Sequence, residues 1–295
     1  MDFSFNVTQV FLLLVYGISA LPDSVRSTSL PSVTPIGVVH RNCLQNEQTQ
    51  TDPQEKAQES ASCNCFSSYP LVEEDMSEKE LNPDHYPAQR AATVAQHYIN
   101  TLHGSPFKWF AVGVVQSATV EEIAERGAKY RVAFTVVEVV GNQPAGTCSA
   151  EVLFPHGASQ APPEVQLTCG EMLKIDTTAK EQAFYLKLRN NSSLLSAQDI
   201  PDSYGNVAPE MEPLWHLGRV ASSFVMLKES NENTLYSMAQ VASVTQQVSE
   251  GEQLLFSYHV LLHDRVSEEI LRWKIFVSWC PAEGVRVLQM AAQTP

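Results

Sequence analysis

The chain has 295 residues, 44% of them hydrophobic and 18% charged, enough apolar content to bury at least one core and too much for a wholly disordered chain. Nineteen Lys and Arg against 33 Asp and Glu leave a formal net charge of -14, which argues against nucleic acid and anionic membrane surfaces, since both are bound by basic residues that neutralise phosphate. Six cysteines are too few to scaffold a chain of this length, so packed cores must carry the fold.

An apolar run at residues 10–18 (VFLLLVYGI), followed by small residues ending at Ala20, has the length of a signal-peptide core and is too short to span a bilayer. Residues 1–20 are therefore expected to be a secretory signal, with a secreted, extracellular mature chain beginning near Leu21. No later run reaches membrane-spanning length. Residues 21–84 show no sustained periodicity, are rich in Ser, Gln, Glu, Asp and Pro, and include the acidic run Glu73-Glu74-Asp75. This composition buries too little apolar surface to offset ordering entropy and reads as an acidic tail. It serves either as a solvated linker or as a mineral-binding segment.

Ordered chain is expected from about residue 85. Ala91, Val94, Ala95, Tyr98 and Leu102 share one helical face, and Gly104 is a natural stop. Strand patterns follow at residues 107–119, 129–140, 146–154 and 164–174, with Tyr130, Val132, Phe134 and Val136 facing inward in the second. If the third and fourth strands pair about their Pro- and Gly-rich connection, Cys148 faces Cys169, Ala150 faces Leu167 and Val152 faces Val165. That register makes a cross-strand disulfide geometrically reasonable, two free buried thiols being the alternative. A polar helical stretch, 178–188, leads to Asn190-Asn191-Ser192-Ser193, two overlapping N-glycosylation acceptors at Asn190 and Asn191.

The order then repeats. Turn residues 200–206 precede a helix over 209–227, with Leu214, Leu217, Ala221 and Phe224 on one face, and strand patterns follow at 234–248, 253–263, 269–279 and 284–289. One helix and four antiparallel strands, twice, predicts an α+β fold of two tandem units, 85–177 and 200–290, joined by a linker helix and loop at 178–199. The second unit's central hairpin alternates strictly on both sides of a polar tip: His263, Asp264, Arg265, Val266, Ser267, Glu268, Glu269 and Ile270. A tip held by two half-buried strands is stiff yet free to meet a partner, and Asp264 to Glu269 are expected to be dispensable for folding.

Tyr86-Pro87-Ala88 with Arg90-Ala91-Ala92, Ile200-Pro201-Asp202 with Gly205-Asn206-Val207, and Leu261-Leu262-His263 with Ser267, Glu269-Ile270 and Trp273 together resemble the latexin family over about residues 86–287. The apparent signal and the facing cysteines are most like its secreted members, such as eggshell-matrix ovocalyxin. The resemblance implies two cystatin-like halves and inhibition of zinc metallocarboxypeptidases of the A type, with His263 to Ile270 entering the enzyme's funnel. Glu268 departs from the family, which has Gln before the Glu-Ile pair.

No HExxH, Cys-x-x-Cys, Walker loop, GxGxxG or GxSxG occurs in the chain, so neither an enzyme, a cofactor nor a bound metal is expected. His97 and His216 are read as solvent-facing or structurally bonded. Near-matches to the papain-inhibiting Q-x-V-x-G loop lack its glycine. The expected partner is a metallocarboxypeptidase. The alternative is an acidic extracellular or eggshell matrix protein that meets mineral or matrix.

Overall fold

The structure, a computed structural model, describes residues 78–157, 161–170 and 175–294. The expected signal at 1–20, nearly all of the acidic tail, Cys43, Cys63 and Cys65 lie outside the described residues. In chain order the elements are β1 (Lys79–Leu81), α1 (Tyr86–His103), β2 (Phe110–Ile123), β3 (Gly127–Glu138), β4 (Gln143–Pro155) and β5 (Glu164–Cys169). After them come α2 (Thr178–Arg189), β6 (Ser196–Ile200), α3 (Glu212–Glu229), β7 (Tyr236–Gln247), β8 (Leu254–Asp264), β9 (Ile270–Cys280) and β10 (Gly284–Gln293). They form two antiparallel sheets of five strands, ordered β1-β2-β3-β4-β5 and β6-β7-β8-β9-β10. Strand, helix, four strands is thus the order of both halves.

Four strands per sheet were expected, and each sheet has five. The extra members are edge strands whose side chains are mostly exposed: β1 falls within the presumed tail and β6 within the presumed linker. Such strands are held by backbone hydrogen bonds to one neighbour, so they leave no apolar alternation to detect. At the other edge β10 runs past residue 289 because a bulge between Val287 and Gln289 shifts its parity. Val285 and Val287 before it and Met290 after it all pack on the core.

In the first half α1 packs Ala88, Ala91, Ala92, Ala95 and Ile99 against Phe110, Tyr130, Val132, Phe134, Val152 and Phe154. Alanines on this face let the helix axis sit close to the sheet. Cys148 and Cys169 are directly paired across β4 and β5, with Ala150 opposite Leu167 and Val152 opposite Val165, and the two sulfurs are bonded. In the second half Leu214, Leu217, Ala221 and Val225 of α3 meet Phe256, Tyr258, Val260, Ile275, Val277 and Trp279. Helix α2 packs with this second core rather than hanging between the halves: the Phe184 ring lies 5.7 Å from that of Trp279, and Tyr185 Oη donates to Glu252 O.

Helices α1 and α3 also pack against each other, so each is covered on two sides. This is why their buried faces are wider than one amphipathic stripe, taking in His97, Asn100, Val220, Ser222 and Ser223, while Leu102 is left 55% exposed. A Cβ on Gly104 would sit 2.6 Å from Val220 Cγ2, a separation that only glycine permits. Asn100, fully buried, donates from Nδ2 to Phe110 O and accepts from Phe110 N at Oδ1, which satisfies the backbone where β2 begins. Across the halves Tyr130 Oη donates to Glu232, and the Arg219 guanidinium stacks 3.3 Å from the centre of the Trp109 ring. No helix among the described residues is long and apolar enough to cross a membrane.

His97 departs from expectation. It is 2% exposed, and neither ring nitrogen has a hydrogen-bond partner. Burial pushes its pKa down from 6.5 to about 4, with the nearby Tyr236 backbone opposing only part of the shift. The unfolded chain therefore takes up a proton near pH 6.5 that the folded chain refuses until about pH 4. Stability from this residue is complete above pH 6.5 and is lost progressively as the pH falls toward 4. Relative to a His97→Leu variant, wild type should lose on the order of 3 kcal/mol of unfolding free energy between pH 7 and pH 4, measured by denaturant titration at each pH. Parallel pH profiles for the two proteins would contradict the assignment.

Candidate functional site: the tip of the β8–β9 hairpin

Strands β8 and β9 pair in unbroken register from Leu254 opposite Trp279 to His263 opposite Ile270. Their buried faces, Phe256, Tyr258, Val260 and Leu262 against Trp273, Ile275, Val277 and Trp279, are the even and odd sets read from the sequence. The hairpin closes with Asp264 N donating to Glu269 O at 3.0 Å.

Asp264 is not a free tip residue. Only 5% exposed, its Oδ1 accepts hydrogen bonds from Leu235 N at 2.8 Å and Val266 N at 3.1 Å, and its Oδ2 accepts one from the Ser267 hydroxyl at 3.0 Å. Arg265 N completes the brace by donating to Leu235 O at 2.9 Å. The carboxylate thus shapes the turn and ties it to the residue that precedes β7. The signal was present in the sequence: an Asp two residues before a backbone amide and three before a Ser is the pattern of an Asx-type turn. The anchor at Leu235, 29 residues away, had no local signal.

The same device recurs in the first half. Glu138, which ends β3 as Asp264 ends β8, is 1% exposed and accepts from Val140 N and Gly141 N, and Val139 N donates to Trp109 O just before β2. Asn142 and Glu268 each take a positive φ, 48° and 59°. The two connections differ in length: residues 139–142 in the first half, residues 265–269 in the second. The longer one carries the exposed side chains.

Of the tip residues, Arg265, Val266, Ser267, Glu268 and Glu269 are exposed, and His263 and Ile270 are half-buried. Glu268 reaches back to His263 with 3.1 Å between Oε2 and Nε2, so its carboxylate is directed along the hairpin rather than ahead of it. Val266, 44% exposed, is the apolar group at the turn. The assembly is a braced turn whose five central side chains are exposed. Among the described residues no cluster of His, Cys, Asp or Glu could hold a metal ion. The other residues singled out from sequence lie apart from the tip: Cys148 and Cys169 join β4 to β5, and Asn190 and Asn191 are exposed at the end of α2.

Comparison with known proteins gives this geometry a family. Residues 81–295 match the family described as Latexin. The chain is 40% identical to latexin of Mus musculus over 208 residues, covering 70% of this chain and 94% of that protein, and 38% identical to latexin of Homo sapiens over the same shares. It is 34% identical to ovocalyxin-32 of Gallus gallus over 210 residues, 71% of this chain and 75% of that one. The chain belongs to the latexin family.

Proposed function

We propose that this chain is a secreted inhibitor of zinc metallocarboxypeptidases of the A type, built from two cystatin-like halves, that inserts the β8–β9 tip into the enzyme's active-site funnel. The observation that carries this reading is the brace on the tip. With Asp264 and Leu235 holding the turn before any partner arrives, little ordering entropy opposes insertion. Val266 and the exposed backbone of the turn would enter first. Glu268, drawn back to His263, would stay clear of the enzyme's catalytic glutamate and so be tolerated in place of the family's Gln. An extracellular matrix role is the second reading, favoured by the net charge of -14 and the similarity to ovocalyxin-32.

Replacing residues 265–269 with Gly and Ser while keeping Asp264 should leave the melting temperature within a few degrees of wild type and weaken inhibition of a purified A-type carboxypeptidase about 100-fold or more, because binding energy concentrates in the few inserted residues. Glu268→Gln should stay within about threefold of wild type. Full inhibition by the folded Gly/Ser variant would remove the tip from the mechanism. Absence of inhibition by wild type at micromolar concentration would favour the matrix reading.

Asp264→Ala should behave differently from the exposed tip variants. It leaves the Leu235 amide without its acceptor and frees the turn, so unfolding free energy should fall by about 1–3 kcal/mol, with inhibition weakened as well. A denaturant midpoint unchanged from wild type would show that the carboxylate is not the brace.

Secretion fits the Cys148–Cys169 bond, since disulfides persist in oxidising compartments. Protein purified from culture medium should begin near Leu21, carry glycan at Asn190 or Asn191, and lose about 3 kcal/mol of stability when both cysteines are replaced by Ala. Intact mass before and after deglycosylation and reduction measures the first two. A full-length, unglycosylated chain retained in cells would contradict them.

A further inference from the structure

A cleft of about 160 Å³ opens between α1, α3 and the start of β7, with Gln96, His97, Trp109, Arg219, Tyr236 and Arg265 among its lining residues. The Arg219 guanidinium makes no hydrogen bond or ion pair with any described residue and rests on the faces of Trp109 and Trp215. Desolvation alone pushes its pKa down to about 10. The Arg265 side chain, exposed at the tip, is likewise in no ion pair with a described residue. The nearby Asp264 carboxylate is already engaged by two backbone amides and a hydroxyl. Beside these cations lies His97, buried, with no ring nitrogen in an ordinary hydrogen bond and only the nearby Tyr236 backbone acting on the ring, and Gln96, whose amide oxygen is used by Val112 N while its amide nitrogen makes no hydrogen bond.

Buried cations are ordinarily paired, and buried polar groups ordinarily bonded. The Arg219 guanidinium, the exposed Arg265 at the cleft's rim, a buried imidazole and a free amide donor around one small cleft are together complementary to an anion with several acceptor oxygens. We propose that this cleft is a binding site for one small oxyanion, phosphate or carboxylate, held by Arg219 and Arg265 with His97 and Gln96 supplying further donors. The planar guanidinium fork matches either anion by paired hydrogen bonds. The cleft's volume of about 160 Å³ is enough to admit one such group. Because Arg265 belongs to the hairpin tip and Arg219 to α3, the bound anion would link the tip to the helix pair. The site stands on its own charges and does not depend on what the tip inhibits.

The test is a titration of the mature protein with inorganic phosphate and, in a separate arm, with succinate, each against chloride at constant ionic strength so that general screening does not change. The Trp109 indole N–H resonance and the melting temperature are the readouts. One saturable site is expected, with affinity weakened about tenfold or more by Arg219→Lys and by Arg265→Gln, and unchanged by Arg272→Gln on the exposed side of β9. Saturation by phosphate alone, or by succinate alone, would assign the anion class, and saturation by both would establish a general oxyanion site. Since Arg219→Lys also removes the stack on Trp109, the exposed Arg265→Gln variant decides if the former fails to fold. A linear, non-saturating response to both anions, or wild-type affinity in folded Arg265→Gln, would overturn the proposal.

Discussion

The packing of α1 against α3 is the constraint on which the rest of the molecule depends. Each helix already buries one face on its own sheet, and their contact buries a second. A helix covered on two sides has only a narrow solvated stripe for incidental polar groups, so those between the halves must be bonded internally or carry an energetic cost. Asn100 is bonded fully, Tyr130 finds Glu232, and Ser105 finds the buried Glu181. His97, with no ring nitrogen in an ordinary hydrogen bond, is the exception between the halves, and it lines the same small cleft as Arg219.

This arrangement also sets the hairpin tip. The connection from α3 to β7 ends at Leu235, whose amide and carbonyl fix Asp264 and Arg265. The tip is therefore held by the residue that precedes β7 as well as by its own strands. The first half contains the counterpart, with Trp109 and Glu138 in the places of Leu235 and Asp264. Duplication thus extends below topology, to the acid that ends the third strand of each sheet and shapes the turn after it. The halves diverge at the connection itself, where residues 265–269 make the longer and more exposed loop.

The order of helix and strands was legible because buried faces impose periods of 3.6 and 2, and the register that brings Cys148 opposite Cys169 was legible because both strands alternate without interruption. Strands β1 and β6 were not, being short, mostly polar edge segments from which only Leu81, Ala197 and Ile200 reach the cores. The interior position of His97 was hidden for another reason: the second buried face of α1 exists only because α3 covers it, and no local pattern encodes that contact. Asp264 was read as part of the tip and is instead its foundation, since burial of a carboxylate by three donors, one of them distant in sequence, is a tertiary fact. The exposed set from Arg265 to Glu269 was placed correctly by alternation and turn chemistry.

The central claim is that the tip, braced at Leu235, is the proposed surface for the protease. Hydrogen–deuterium exchange of this chain alone and with an excess of an A-type carboxypeptidase tests it without altering a residue. The account predicts strong new protection of backbone amides at residues 265–270 in the complex, with the interiors of β8 and β9, already bonded, unchanged. Protection confined to the first sheet, or no difference at the tip under conditions where the enzyme is inhibited, would contradict it.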